Sequence, residues 1–249
     1  VVIALFGTSA DPPTEGHRVL LQGLLNLYPR VATWASDNPQ KHHGAPLALR
    51  AELLGALVAA LHDPRLSLEQ ELSSPWAIET LERAARRWPG QPLVFVVGSD
   101  LVAQIPRWRE ASRLLGACRL AVAPRGGWPL RGEELEALQR LGARLEVLDL
   151  QVPATASSRV RQQAAIAPRT SPEPHAASGS PQPSAAQPPG VDPPADEAGA
   201  TPAALPDDSR PWDPEQSDPL QEVPPALRPV LLEHNLYGLQ GPLPPPDPS

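Results

Sequence analysis

The chain has 249 residues, 28 acidic against 21 basic, a net charge of −7 and a single cysteine. This excludes a disulfide framework and the basic stripe of a nucleic-acid binder, and no apolar run reaches the ~18 residues of a membrane span. The average hides a break: residues 1–165 carry a net +2, whereas residues 166–249 hold 22 of the 35 prolines and a net −9.

The first part is long enough to bury a substantial core. Its one thiol, Cys118, sits in an apolar run as a small buried hydrophobe, which fits a reducing compartment. The chain opens directly in a strand with no basic leader, so a cytoplasmic protein is expected. It contains no methionine, position 1 included, which points to a missing or non-standard start.

In chain order, strands are expected at Val1–Phe6, Val31–Ala35, Leu66–Leu72, Leu93–Val97, Arg119–Ala123 and Leu145–Leu150. Helices are expected between them at Gly16–Tyr28, Leu47–His62, Trp76–Trp88, Trp108–Leu115 and Gly132–Leu141. The second helix places Leu49, Leu53, Leu54, Leu57, Val58 and Leu61 on one face. This alternation predicts an α/β, doubly wound parallel sheet, whose ligands bind beyond the carboxyl ends of the strands. Gly7, Gly98 and Pro124 all follow strands at that edge. Four segments are expected: a core at 1–166, a Pro/Ala/Ser-rich disordered insertion at 167–222, a helix at 223–239 packed on the core with Pro229 in its first turn, and a disordered tail at 240–249.

Several motifs carry chemistry. After the first strand come Gly7-Thr8-Ser9, a Pro-Pro turn, and Thr14-Glu15-Gly16-His17 opening a helix. Small residues let backbone approach a ligand, and the helix N-terminus forms an anion site that His17 would face. Near the end of the core, Thr155-Ala156-Ser157-Ser158-Arg159-Val160-Arg161 follows the last strand. There hydroxyl, helix N–H groups and the Arg161 guanidinium can converge on one anion. The only lysine, Lys41, lies in Asp37-Asn38-Pro39-Gln40-Lys41, with Arg50 in the next helix; an ammonium and a guanidinium are not interchangeable at a phosphate.

The segment GTSADPPTEGH resembles the GxFDPxHxGH signature of the nucleotidyltransferase superfamily. Gly7, Asp11, Pro12, Thr14, Gly16 and His17 are in register, Thr14 stands at the first-His position, and Ala10 replaces an aromatic. Ser158 and Arg161 match the family's ISSTxxR element. Lys41 and Arg50 match the NPxK…R segment of the nicotinate mononucleotide adenylyltransferase branch. Ser74-Pro75-Trp76-Ala77-Ile78-Glu79-Thr80-Leu81, Gly98-Ser99-Asp100 and Trp108 are similar to that branch's SYTxxTL, GxD and Trp motifs, with Ala77 in place of a threonine. Val223-Pro224-Pro225…His234-Asn235-Leu236-Tyr237 resembles its terminal helix.

The resemblance implies a Rossmann-like fold of the nucleotidyltransferase type. It implies adenylyl transfer from ATP to nicotinate mononucleotide, with His17, Thr14 and Lys41 catalytic. His17 would carry the main transition-state role and Thr14 would contact the α-phosphate. Gly7, Thr8, Ser9, Gly16, Gly98, Asp100, Ser157, Ser158 and Arg161 would bind ATP, with Asp100 on ribose hydroxyls and Ser158 and Arg161 on the leaving pyrophosphate. Lys41, Arg50, Trp76 and Trp108 would bind substrate, the two cations neutralising phosphates and Trp108 stacking on the pyridine ring. Mg²⁺ would be held mainly by ATP phosphates, with no metal ligand in the chain. Partners are the two small substrates, neither nucleic acid nor membrane; self-association stays open. Two other readings stay open here: a pantetheine-phosphate adenylyltransferase, and a non-catalytic nucleotide-binding scaffold recruiting partners through the Pro-rich segment.

Overall fold

The computed structural model describes residues 1–38, 41–150, 152, 153, 155, 157–166 and 220–239. The expected insertion (over 167–219) and the tail 240–249 lie outside these residues. So do Pro39 and Gln40 of the lysine segment, and Ala154 and Ala156 beside the second phosphate motif.

Six parallel strands build one sheet: β1 (Ile3–Thr8), β2 (Arg30–Ala35), β3 (Leu66–Leu68), β4 (Leu93–Gly98), β5 (Arg119–Ala123) and β6 (Arg144–Val147). Their order is β3-β2-β1-β4-β5-β6. The chain winds outward through β2 and β3, then returns to place β4 beside β1, so the order reverses between those two strands. The α-helices among the described residues are α1 (Glu15–Leu27), α2 (Leu47–Leu61), α3 (Ala77–Arg87), α4 (Ala111–Ala117), α5 (Gly132–Arg140), α6 (Ser157–Ile166) and α7 (Arg228–Glu233). None is long and apolar enough to cross a membrane.

Strand alternation sorts side chains into two apolar layers, one on each face of the sheet. Ala4, Phe6, Val94, Val96, Ala121 and Ala123 pack with α1, α2 and the C-terminal segment. Ile3, Leu5, Phe95, Val97, Leu120 and Val122 pack with α3, α4 and α5. Burial on both faces is why these strands read as continuous apolar runs. The fold thus has the expected Rossmann-like architecture.

Several elements differ in extent. The third strand stops at Leu68, because the Gln70 side chain bonds both the N–H and the C=O of Ala35, each at 2.9 Å, and the chain turns into a 3₁₀ helix at Gln70–Leu72. The helix expected from Trp108 begins at Ala111, after a 3₁₀ helix at Ser99–Arg107 and a left-handed Glu110. The helix expected at 223–239 is broken into α7 and two 3₁₀ turns, Pro225–Leu227 and Leu236–Gly238. Left-handed Asn235 ends α7, a conformation asparagine tolerates better than most residues. Val223, Leu227, Leu231 and Leu236 still bury fully or nearly so in the α1–α2 layer.

Candidate active site

A cleft of about 400 Å³ opens at the carboxyl edge of β1 and β4, where the strand order reverses. Gly7, Thr8, Ser9, Thr14, Gly16 and His17 line it from β1 and the start of α1. Gly98, Asp100 and Trp108 line it from β4 and the 3₁₀ helix that follows. Ser157, Ser158 and Arg161 line it from α6, and Lys41 from the loop after β2.

Close approach explains two glycines here. A Cβ on Gly7 would lie 2.6 Å from the buried indole of Trp34, its register partner on β2. One on Gly16 would lie 2.6 Å from Thr155 Oγ1. Ala10 is fully buried with a left-handed φ of 49°, between Ser9 and the cis Asp11–Pro12 bond.

His17 is recessed in the cleft wall by a network that sets its tautomer. The Thr14 backbone N–H donates to His17 Nδ1 at 3.0 Å. A peptide N–H can only donate, so Nδ1 is the acceptor and Nε2 carries the proton of the neutral ring. Nε2–H then donates to Thr8 Oγ1 at 2.8 Å. Thr8 Oγ1 also accepts the Ala10 N–H, which leaves its hydroxyl proton for an acceptor in the cleft. Thr14 is fully buried; its hydroxyl meets His17 Nδ1 at 2.9 Å and accepts from Thr155, whose oxygen accepts the Gly16 N–H. Loss of water lowers the His17 pKa to about 4, and the nearby Arg125 guanidinium adds to the shift. The ring is therefore neutral at physiological pH.

Two expected residues lie outside the cleft lining. Arg50 is 1% exposed, a buried clamp inside α2. It donates to the carbonyls of Ala45, Ser9 and Ser36 and pairs with Asp37 at 3.2 Å. It thus ties together the loops that follow β1 and β2. Trp76 is 41% exposed and carries the Arg109 guanidinium 5.4 Å from its ring centroid. Its neighbours Pro75 and Ala77 line the cleft, and Ala77 presents a methyl there, next to the buried Thr80.

Three further contributors had no role assigned from the sequence. Arg125, in the loop after β5, lines the cleft and pairs with Asp100 at 3.0 Å. Thr155 supports Thr14 and Gly16 as described. Asp11 is 2% exposed and gathers the N–H groups of Gly44 and Ala45, the Tyr237 hydroxyl and the Arg161 guanidinium. Among the described residues, Lys41 pairs with no carboxylate. With the carboxylates of Asp11, Asp37 and Asp100 balanced in turn by Arg161, Arg50 and Arg125, Lys41 is left as surplus positive charge lining the cleft, which suits it to anions.

Residues 5–164 match a family model described as cytidylyltransferase-like. A probable nicotinate-nucleotide adenylyltransferase of Synechocystis sp. is 37% identical over 157 residues, spanning 59% of this chain and 78% of that protein. One from Cereibacter sphaeroides is 30% identical over 174 residues, spanning 67% of this chain and 87% of that protein. Among solved structures, nicotinic acid mononucleotide adenylyltransferase of Plasmodium falciparum, complexed with NaAD, superposes with a TM-score of 0.54 at 18% identity. The match covers 66% of this chain and 83% of that one, a likeness of fold.

Proposed function

The chain belongs to the cytidylyltransferase-like family and, within it, to the nicotinate-nucleotide adenylyltransferases, and from that membership we propose that its cleft transfers an adenylyl group from ATP to nicotinate mononucleotide. A phosphate oxygen of nicotinate mononucleotide attacks the α-phosphorus of ATP. The new P–O bond forms as the bond to the β-phosphate bridging oxygen breaks, giving deamido-NAD and pyrophosphate, a step in NAD biosynthesis.

The attacking phosphate is already ionised, so the reaction needs no general base. The enzyme's work is alignment and stabilisation of charge on the transferring phosphoryl oxygens. The observation that carries this reading is the fixed tautomer of His17 at the head of α1. Its ring N–H stays neutral and oriented before substrate arrives, held on Thr8 Oγ1 at 2.8 Å, and passes to the phosphoryl oxygen that displaces that contact. Thr14, fully buried against the ring, serves by orienting His17. Thr8, with its remaining hydroxyl proton, donates to a phosphate. Lys41 meets the attacking phosphate, and Ser158 and Arg161 hold the departing pyrophosphate at the N-terminus of α6, which Ser157 fixes to the loop after β1 by donating its hydroxyl to the Pro12 carbonyl at 2.8 Å. Trp108 stacks on the pyridine ring, Asp100 accepts from ribose, and Gly7, Ser9, Gly16 and Gly98 let backbone reach the nucleotide. Arg50 acts by holding the carbonyls of the two loops, and Trp76 by bracing the segment that carries Pro75 and Ala77.

ATP enters as its magnesium complex. Among the described residues no three His, Cys, Asp or Glu side chains gather to hold a metal. The ion would be carried mainly by the nucleotide's phosphates and water, where it would offset charge on the leaving group. Incubating the protein with Mg·ATP and nicotinate mononucleotide and separating the products by chromatography tests the reading. Equal amounts of deamido-NAD and pyrophosphate are expected; unchanged substrates would refute it.

A further inference from the structure

We propose that Tyr237 is a positioning residue for Arg161, acting through Asp11, so that the C-terminal segment completes the phosphate grip of the cleft. The inference rests on the adenylyl-transfer reading for the identity of the ligand.

The Tyr237 hydroxyl donates to Asp11 Oδ1 at 2.7 Å, across 226 positions of sequence. The same carboxylate holds Arg161: Nη1 lies 3.3 Å from Oδ2 and donates to the Asp11 carbonyl oxygen at 2.5 Å. Gly44 and Ala45 N–H groups supply the other two bonds to the carboxylate, at 2.7 and 3.2 Å. Asp11 therefore has four donors from three separate segments and is almost wholly buried.

Packing adds to the bonding. A Cβ on Gly44 would lie 2.7 Å from Arg161 Cδ and 2.8 Å from Tyr237 Cε1. The arginine stem and the phenol ring thus sit together on one bare stretch of backbone. The ring is delivered there by left-handed residues at Asn235, Tyr237 and Gly238, with Leu236 and Leu239 buried on either side. Among the described residues, Nε and Nη2 of Arg161 have no partner, and the side chain lines the cleft. One guanidinium nitrogen is pinned and the others are left for an anion. A long, rotamer-rich side chain held in this way loses little freedom on binding. Removing the Tyr237 hydroxyl leaves Asp11 one donor short and frees the arginine to follow it.

The test is Tyr237→Phe, which keeps the ring and loses only the hydroxyl. In steady-state assays its KM for ATP should rise about fivefold, the worth of one hydrogen bond, while its KM for nicotinate mononucleotide stays within about twofold. ATP binding by titration calorimetry should weaken by the same factor, and adding Tyr237→Phe to Arg161→Ala should weaken it no further. Equal rises in both KM values, or losses that multiply in the double variant, would overturn the inference. A wild type that forms no deamido-NAD but shows the same non-additive ATP binding would refute the adenylyl-transfer reading and support the positioning role. A wild type that binds no ATP would refute both.

Discussion

The backbone N–H of Thr14 donates to the ring of His17 at 3.0 Å, the place that a glutamate or glutamine side chain takes in a capping box. One hydrogen bond therefore caps α1 and also decides which ring nitrogen carries the proton. The structural and chemical roles of His17 can be separated by choice of substitution.

His17→Ala should lower kcat by at least ~100-fold, by analogy with a lost oxyanion donor, and cost about 1 kcal/mol of stability through the lost cap. His17→Gln keeps a capping side chain at the same helix position. It should melt close to wild type while kcat still falls steeply. Turnover near wild type in either purified variant would remove His17 from the mechanism.

Acid should destabilise the protein through the same residue. The His17 pKa is about 4 in the folded chain, against 6.5 for the free side chain. Between those values the unfolded chain binds more protons, so this contribution is fully present above pH 6.5 and is lost as pH falls toward 4. Its size is about 3 kcal/mol. Denaturant unfolding at pH 7 and pH 4.5 should show the loss in wild type and a smaller one in His17→Gln. In Arg125→Gln the His17 resonance, followed by NMR, should titrate at higher pH than in wild type, because the second cause of the shift is removed. An unshifted titration would deny Arg125 its electrostatic role.

Arg50→Met should cost at least about 3 kcal/mol, because it removes charge-assisted bonds to three carbonyls at once, that of Ala45 buried and those of Ser9 and Ser36 partly so. The loops after β1 and β2 would loosen together, so the KM values for both substrates should rise. A variant that keeps wild-type stability while losing only nicotinate mononucleotide affinity would instead place Arg50 on that substrate.

The sheet and its ligand edge were legible because β1, β4 and β5 are buried on both faces and carry Gly7, Gly98 and Pro124 at or just beyond their carboxyl ends. Lys41 stood out because it is the only lysine among arginines. That same abundance of arginine hid Arg125, which has no spacing or neighbour to mark it. Arg50 was matched to a phosphate-binding motif, and a motif records that a cation is present and not which way it points. Asp11 belonged to a motif, but its partners Gly44, Arg161 and Tyr237 meet only in the folded chain. The ends of β3 and α7 were misjudged for a similar reason: a Gln70 side chain and a left-handed Asn235 settle them, and neither alters the apolar pattern.

Pyrophosphate release from Mg·ATP, measured in turn with nicotinate mononucleotide, nicotinamide mononucleotide and phosphopantetheine as acceptor, tests the assignment of adenylyl transfer to nicotinate mononucleotide most directly. Rapid release is expected with nicotinate mononucleotide, with the highest kcat/KM for it. Faster release with phosphopantetheine, or none with any acceptor, would contradict that assignment.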